Sequence, residues 1–185
     1  MKINDGTGNG YQVKVDAKNR LSTTAVVESE MEYISEEDGQ TYVISHGDYI
    51  AISTLNTETG ILHIKNISTT KELHIQSIRT CGTQVQKWKL YYNSDAGTLI
   101  TDQTAGSSAN LNIGSPNVAD LTIYKGADAK TVSGGTMLGH HINDVGHSED
   151  LLEGALILGT NDSIELTVEL AVAGDICCRI LGYFK

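Results

Sequence analysis

The chain has 185 residues, enough for one domain with a substantial core, or one domain plus an arm. Its formal charge of -10, with no Lys/Arg cluster to offset it, excludes direct binding to a nucleic-acid backbone. Glycine is abundant (19 residues), proline occurs once and aromatics make up 5%, so the core must rest on Ile, Leu and Val, which suit a pleated sheet.

The opening Met1-Lys2-Ile3-Asn4-Asp5-Gly6 has no apolar run of the kind a secretory leader needs, so none is expected. No stretch approaches the ~18 apolar residues that span a bilayer, and no membrane partner is predicted. Residues 1–27 read as an extended arm. The glycines of Asp5–Gly10 have a phosphate-loop look, but such a loop needs a strand before it and a helix after it, and neither is encoded. Val13, Val15 and Leu21 give the arm a short apolar core. Such a segment is costly to order alone and recovers that entropy by adding to a partner's sheet edge or groove.

Residues 28–38 hold six acids: Glu28, Glu30, Glu32, Glu36, Glu37 and Asp38. The alternation of the first three would line one face of a strand with charge, either as a solvated face or as a docking strip for a basic surface. The arm with this acidic segment (1–40) is thus set apart from a β-domain (41–185).

From residue 41 onward the period is two. Tyr42–Ser45 and Tyr49–Leu55 flank the turn His46-Gly47-Asp48; Leu62–Lys65 and Leu73–Gln76 follow, with His63 and His74 at solvent-facing positions. Over Val85–Tyr92 the spacing puts Trp88, Leu90 and Tyr92 on one face and Lys87 and Lys89 on the other. Asn93 through Asn110 is polar and turn-rich, a long surface loop, and Val118–Tyr124 is the next strand. Residues 151–158 are apolar at nearly every position, the mark of a central strand buried on both faces. Residues 163–172 alternate most cleanly, and Ala173-Gly174-Asp175 turns them into a last strand, Ile176–Phe184. With about eight to ten strands, turn signals every roughly 8–12 residues and no long amphipathic helix, the expected fold is all-β: an antiparallel two-sheet sandwich of jelly-roll type.

No stretch carries a catalytic signature. There is no nucleophile elbow, and Cys81, Cys177 and Cys178 are too few for a disulfide framework. Cys177 and Cys178 would point to opposite faces of a strand, and the three thiols read as small buried hydrophobes in a reducing compartment. His140, His141 and His147, with Asp144, Glu149 and Asp150, fall within eleven residues and could attract a transition metal. A solvated polar loop accounts for them equally well, and their spacing matches no zinc-finger or helical pattern. No metal site, cofactor or enzymatic activity is predicted.

Three landmarks carry a resemblance: Val15-Asp16-Ala17-Lys18-Asn19-Arg20-Leu21, then Tyr124-Lys125-Gly126-Ala127 with Val132-Ser133-Gly134-Gly135-Thr136, and a terminal Leu181-Gly182-Tyr183-Phe184. In order and spacing they resemble the capsid decoration, or cement, proteins of tailed double-stranded DNA bacteriophages. The resemblance implies a β-sandwich on the capsid exterior, assembled in the host cytoplasm, that binds the major capsid protein and bridges capsomers as a homo-oligomer; a trimer is expected from the many three-fold positions of a capsid, and a dimer on two-folds fits the sequence as well. It places Asp16, Asn19, Arg20 and Leu21 in the anchoring arm, beside the apolar Val13 and Val15. A rival from another class is a receptor- or carbohydrate-binding sandwich of a phage tail or fibre. Such a protein needs exposed aromatics, and only Trp88, Tyr91, Tyr92 and Tyr124 could supply them.

Overall fold

A computed structural model describes residues 30–95 and 106–185. The strands in this part of the chain are β1 (Thr41–Ser45), β2 (Ile50–Ile52), β3 (Thr59–Asn66), β4 (Leu73–Gly82), β5 (Gln86–Asp95), β6 (Ser107–Asn110), β7 (Leu121–Lys125), β8 (Ser133–Asn143), β9 (Gly146–Leu158), β10 (Ser163–Leu170) and β11 (Gly174–Phe184). They form two antiparallel sheets, one ordered β6-β1-β11-β4-β9 with β2 added alongside β11, the other β7-β3-β10-β5-β8. Without β2, β6 and β7, the orders β1-β11-β4-β9 and β3-β10-β5-β8 are the wiring of a jelly roll, in which the chain crosses repeatedly between facing sheets. The expected all-β sandwich is therefore present.

Alternation explains which residues fill the space between the sheets. Ile164, Leu166, Val168 and Leu170 of β10 point inward opposite Ile64 and Leu62 of β3 and Tyr92, Leu90 and Trp88 of β5. Trp88 is 1% exposed, and its indole N–H donates to Gln86 Oε1 at 2.8 Å, so the one buried ring nitrogen is satisfied. Lys87 and Lys89 face outward and pair with Glu169 and Glu58.

Three expectations are corrected. The acidic segment is helical, not extended: α1 (Glu30–Tyr33) runs into a π-helical turn, Ile34–Asp38, which Gly39 ends in the left-handed conformation (φ 59°). What fixes it lies far away in sequence. Asn112 Nδ2 donates to Ser35 O at 2.9 Å, Asn117 Nδ2 to Asp38 O at 2.7 Å and Asn110 Nδ2 to Gly39 O at 2.7 Å, while Ile34 is buried. These asparagines satisfy the carbonyls that the helical end leaves open.

Second, the apolar run 151–158 lies in β9, which is the edge of its sheet and not its centre. Third, the cysteines divide. Cys81 on β4 and Cys177 on β11 sit directly opposite each other, with Cα atoms 5.1 Å apart, and form a disulfide. Cys178, on the opposite face as alternation requires, is buried, and burial pushes its thiol up to about 12, which leaves it inert.

The polar segment after β5 is only partly a loop: β5 itself continues to Asp95, and β6 and β7 extend the two sheets on the side away from β8 and β9. Gly126, from one of the landmark motifs, closes that side. Its N–H donates to Ile61 O at 2.7 Å, and a Cβ would overlap the carbonyl of Gly60.

Candidate functional site

The residues expected to anchor the chain, Val13, Val15, Asp16, Asn19, Arg20 and Leu21, lie outside the described residues. The acidic docking strip rests on Glu28, also outside them, and on helical side chains that are likewise not described. The His140–Asp150 segment is a hairpin rather than a loop. Its residues are divided between β8 in one sheet and β9 in the other. His141 turns into the space between the sheets, where Nδ1 lies 3.3 Å from Asp150 Oδ2. His140 follows the outward face of β8 opposite Lys89, and His147 that of β9 opposite Cys81. Among the described residues no group of three or more His, Cys, Asp or Glu side chains is placed to hold a metal ion.

The outward face of the second sheet carries a row in direct register: Tyr124, His63, Glu165, Tyr91 and Met137. His63, expected to face solvent, is buried here; its Nε2 donates to Ser94 O at 3.3 Å and its ring packs against Tyr124 with centroids 5.9 Å apart. His74 is likewise half-buried, stacked on Tyr183 at 5.1 Å. Glu165 is 0% exposed. Burial pushes its carboxyl up to about 8; the hydroxyl of Ser94 at 3.4 Å opposes the shift and the charge of Glu58 adds to it. Burial also works to raise Glu58, but the bonds it accepts from Lys89 (2.5 Å), Thr167 (2.7 Å) and Tyr91 outweigh it and hold that carboxyl below the usual range.

Two carboxyls driven apart in this way are the arrangement that general acid–base chemistry uses. Chemistry also needs a cavity from which substrate reaches the acid, and Glu165 lines none of the three cavities bordered by Arg79 and Arg179, by Trp88 and Leu156, and by Asn112 and Asn117. The row is a packed polar layer.

The other end of the sandwich is different. β8 and β9 are the edge strands of the two sheets, and among the described residues neither has a neighbour on its outer side. Between them the core opens into a cavity of about 360 Å³, walled by Ile78, Trp88, Leu90, Leu138, Leu152 and Leu156 on its apolar side and by Lys89, His140, His141 and Asp150 on its polar side. Around the opening, Met137, Leu138, Ile142, Val145, Leu151 and Ile157 are 42% to 69% exposed. By register, Met137 and Ile142 share the outward face of Tyr91 and Lys87, while Leu151 and Ile157 share that of Ser77 and His74. Neither strand contains a Pro, Lys or Arg, and what blunts these edges is the register shift in each ladder and the inward-facing Asp150 of β9. One side of the apolar run in β9 lines the core, and the other leaves Leu151 and Ile157 exposed among the described residues.

A second feature lies on the outward face of the first sheet. Arg79 of β4 and Arg179 of β11 stand directly opposite each other. They border a cavity of about 380 Å³ that is also lined by Ser45, Asp48, Cys177 and Tyr49, whose ring is 67% exposed. Glu149 accepts from Arg79 Nη2 at 2.5 Å, and this bond, ahead of one from Ser77, holds its carboxyl below the usual range. Arg79 Nε is buried and has no acceptor among the described residues.

No family model, curated protein or solved structure matches the chain.

The open end and the arginine face were hidden from sequence reasoning. The exposed leucines and isoleucines of β8 and β9 look like core residues until strand order places them at an edge. The two arginines are 100 positions apart, and only register unites them.

Proposed function

We propose that this protein is a structural component of a phage virion, a jelly-roll module that binds the outer surface of the capsid and stabilises contacts between capsomers. The observation that carries this reading is the open β8–β9 end, whose edge strands expose Met137, Leu138, Ile142, Val145, Leu151 and Ile157, apolar surface of the kind protein contacts use. The decoration-protein resemblance supplies the kind of partner. In this reading the segment containing Val13, Val15, Asp16, Asn19, Arg20 and Leu21 holds the major capsid protein, and the sandwich projects as a homo-oligomer. Repetition over a shell lets each copy bind modestly and remain attached, because avidity multiplies weak contacts.

The Cys81–Cys177 bridge agrees with a place on a virion surface, where disulfides persist. The acidic charge keeps a dense coat soluble and argues against contact with the packaged DNA.

One observation favours the rival reading of a receptor- or carbohydrate-binding domain. Tyr49 is an exposed aromatic beside two arginines, a combination that can stack on and pair with an acidic sugar. Against it, Trp88, the best stacking residue in the chain, is in the core.

Co-sedimentation of the full-length protein with empty shells of its own phage separates the two. Saturable binding at a stoichiometry tied to the shell lattice is expected, and its loss on changing Arg20→Ala together with Leu21→Ala would assign the anchor. Absence of binding to shells, with retention on acidic glycans, would overturn the capsid reading in favour of the rival.

A further inference from the structure

We propose that the cavity between β8 and β9 binds a small amphipathic amine, its ammonium held by Asp150 at the mouth and its apolar chain or ring laid against Trp88 and Leu156 inside. The inference is independent of the capsid reading. It concerns the lining between the sheets rather than their outward faces, and its test uses the purified chain alone.

Two irregularities, one in each sheet, shape the cavity. In β8 the register passes from Gly139, opposite Leu90, to Met137, opposite Tyr91, so Leu138 has no partner in the ladder. In β9 it passes from Leu156, opposite Ile75, to Leu151, opposite Ser77, so residues 152–155 stand against Gln76 alone. Extra residues of this kind re-aim side chains and recur beside binding sites. Here they fall at the same end of the two sheets, and Leu138 and Leu152 line the opening between them. Gly139 adds room. A Cβ built there would meet nothing within 4 Å, and the backbone is not left-handed. At the ~30 Å³ that a water-sized group occupies in a liquid, a cavity of about 360 Å³ holds roughly a dozen non-hydrogen atoms. That places it toward the lower end of small-molecule pockets.

The chemistry of the lining chooses the head group. Trp88 offers only its ring, because its N–H already donates to Gln86. The ammonium of Lys89 is held by Glu58, and His140 follows the outward face of β8, which leaves His141 and Asp150 as the polar side chains that count. His141 is engaged at both nitrogens. The Thr80 hydroxyl accepts from Asn143 Nδ2 at 2.7 Å and donates to His141 Nε2 at 3.4 Å, so Nδ1–H is left for Asp150 Oδ2 at 3.3 Å. This chain of contacts ties down one oxygen of a half-exposed carboxylate. The other, Oδ1, has no hydrogen-bond partner among the described residues. The neighbouring cations are taken, Lys89 by Glu58 and Arg79 by Glu149, and residues 133–158 contain no Lys or Arg. An anionic head would therefore meet Asp150 with no free cation beside it. An ammonium supplies both the donors and the opposite charge.

The experiment titrates the full-length protein with octylamine, octanol and octanoate, following the emission of Trp88, the single tryptophan of the chain and part of the cavity wall. Octylamine is expected to bind saturably, one per chain, and about five- to tenfold more tightly than octanol, with octanoate weakest. Asp150→Asn keeps an acceptor for His141 and should bring octylamine and octanol to the same affinity. Gly139→Phe should place a ring in the cavity and abolish the response to all three, with circular dichroism unchanged. No saturable response to millimolar octylamine would overturn the proposal, as would equal affinity for the three head groups. A preference for the amine that survives Asp150→Asn, or binding that persists in Gly139→Phe, would place the site elsewhere and overturn it too.

Discussion

Glu165 lies on the outward side of β10, yet no part of it reaches water. Its carboxyl is pushed up to about 8 from an ordinary value of 4.5, so near neutral pH the folded protein holds a proton that the unfolded chain has released. The sign follows directly. Below pH 4.5 both states are protonated and the residue costs nothing. As pH rises from 4.5 through 8, the unfolded state gains from ionisation and the folded state does not, so stability falls across that window. At pH 7 the difference of 2.5 units corresponds to about 3 kcal/mol at ~1.36 kcal/mol per unit.

Glu165→Gln keeps the shape and an acceptor for Ser94 while removing the titration. It should therefore raise the melting temperature at pH 7 by roughly 6–12 °C, taking ~2–4 °C per kcal/mol for a domain of this size. Thermal unfolding by circular dichroism at pH 4 and pH 7 reads the effect. The gain should be present at pH 7 and nearly absent at pH 4. An equal shift at both values, or a loss at pH 7, would show that Glu165 is ionised in the fold and refute the reasoning.

Replacing Cys81 and Cys177 by Ser together opens a bridge across a sequence separation of 96 residues, and urea unfolding should show a loss of about 2–5 kcal/mol. The same loss should follow reduction of the wild type, and no change in either experiment would mean that the thiols are unpaired in solution. Gly126→Ala forces a methyl group into the carbonyl of Gly60 and should cost roughly 1–3 kcal/mol, read as an earlier melting transition. An unaltered melting temperature there would show that the β3–β7 side has room to spare.

Much of the fold was legible because alternation is a local property of an extended backbone. Ile164, Leu166, Val168 and Leu170 announce both β10 and its inward face, and the same spacing sends Trp88 into the core and Lys87 and Lys89 outward. It also assigns Cys177 and Cys178 to opposite faces without reference to any other strand. Where structure depends on a distant partner, local pattern misleads. Glu28, Glu30 and Glu32 alternate as in a strand, yet residues 30–38 are helical turns whose last carbonyls accept from Asn110, Asn112 and Asn117. His63 and Glu165 occupy positions that read as solvent-facing and are sealed by neighbours on β3, β5 and β7.

By itself, then, the sequence determined strand character over much of the β-domain, the inward face of cleanly alternating strands such as β5 and β10, and the acidic balance, since each depends on nearest neighbours or on composition alone. The tertiary structure decided which strands lie at an edge, which cysteine meets which, that Arg79 stands opposite Arg179, and that an apolar end is left open. Those depend on register and strand order, which are set by contacts between residues many tens of positions apart and leave no periodic trace along the chain.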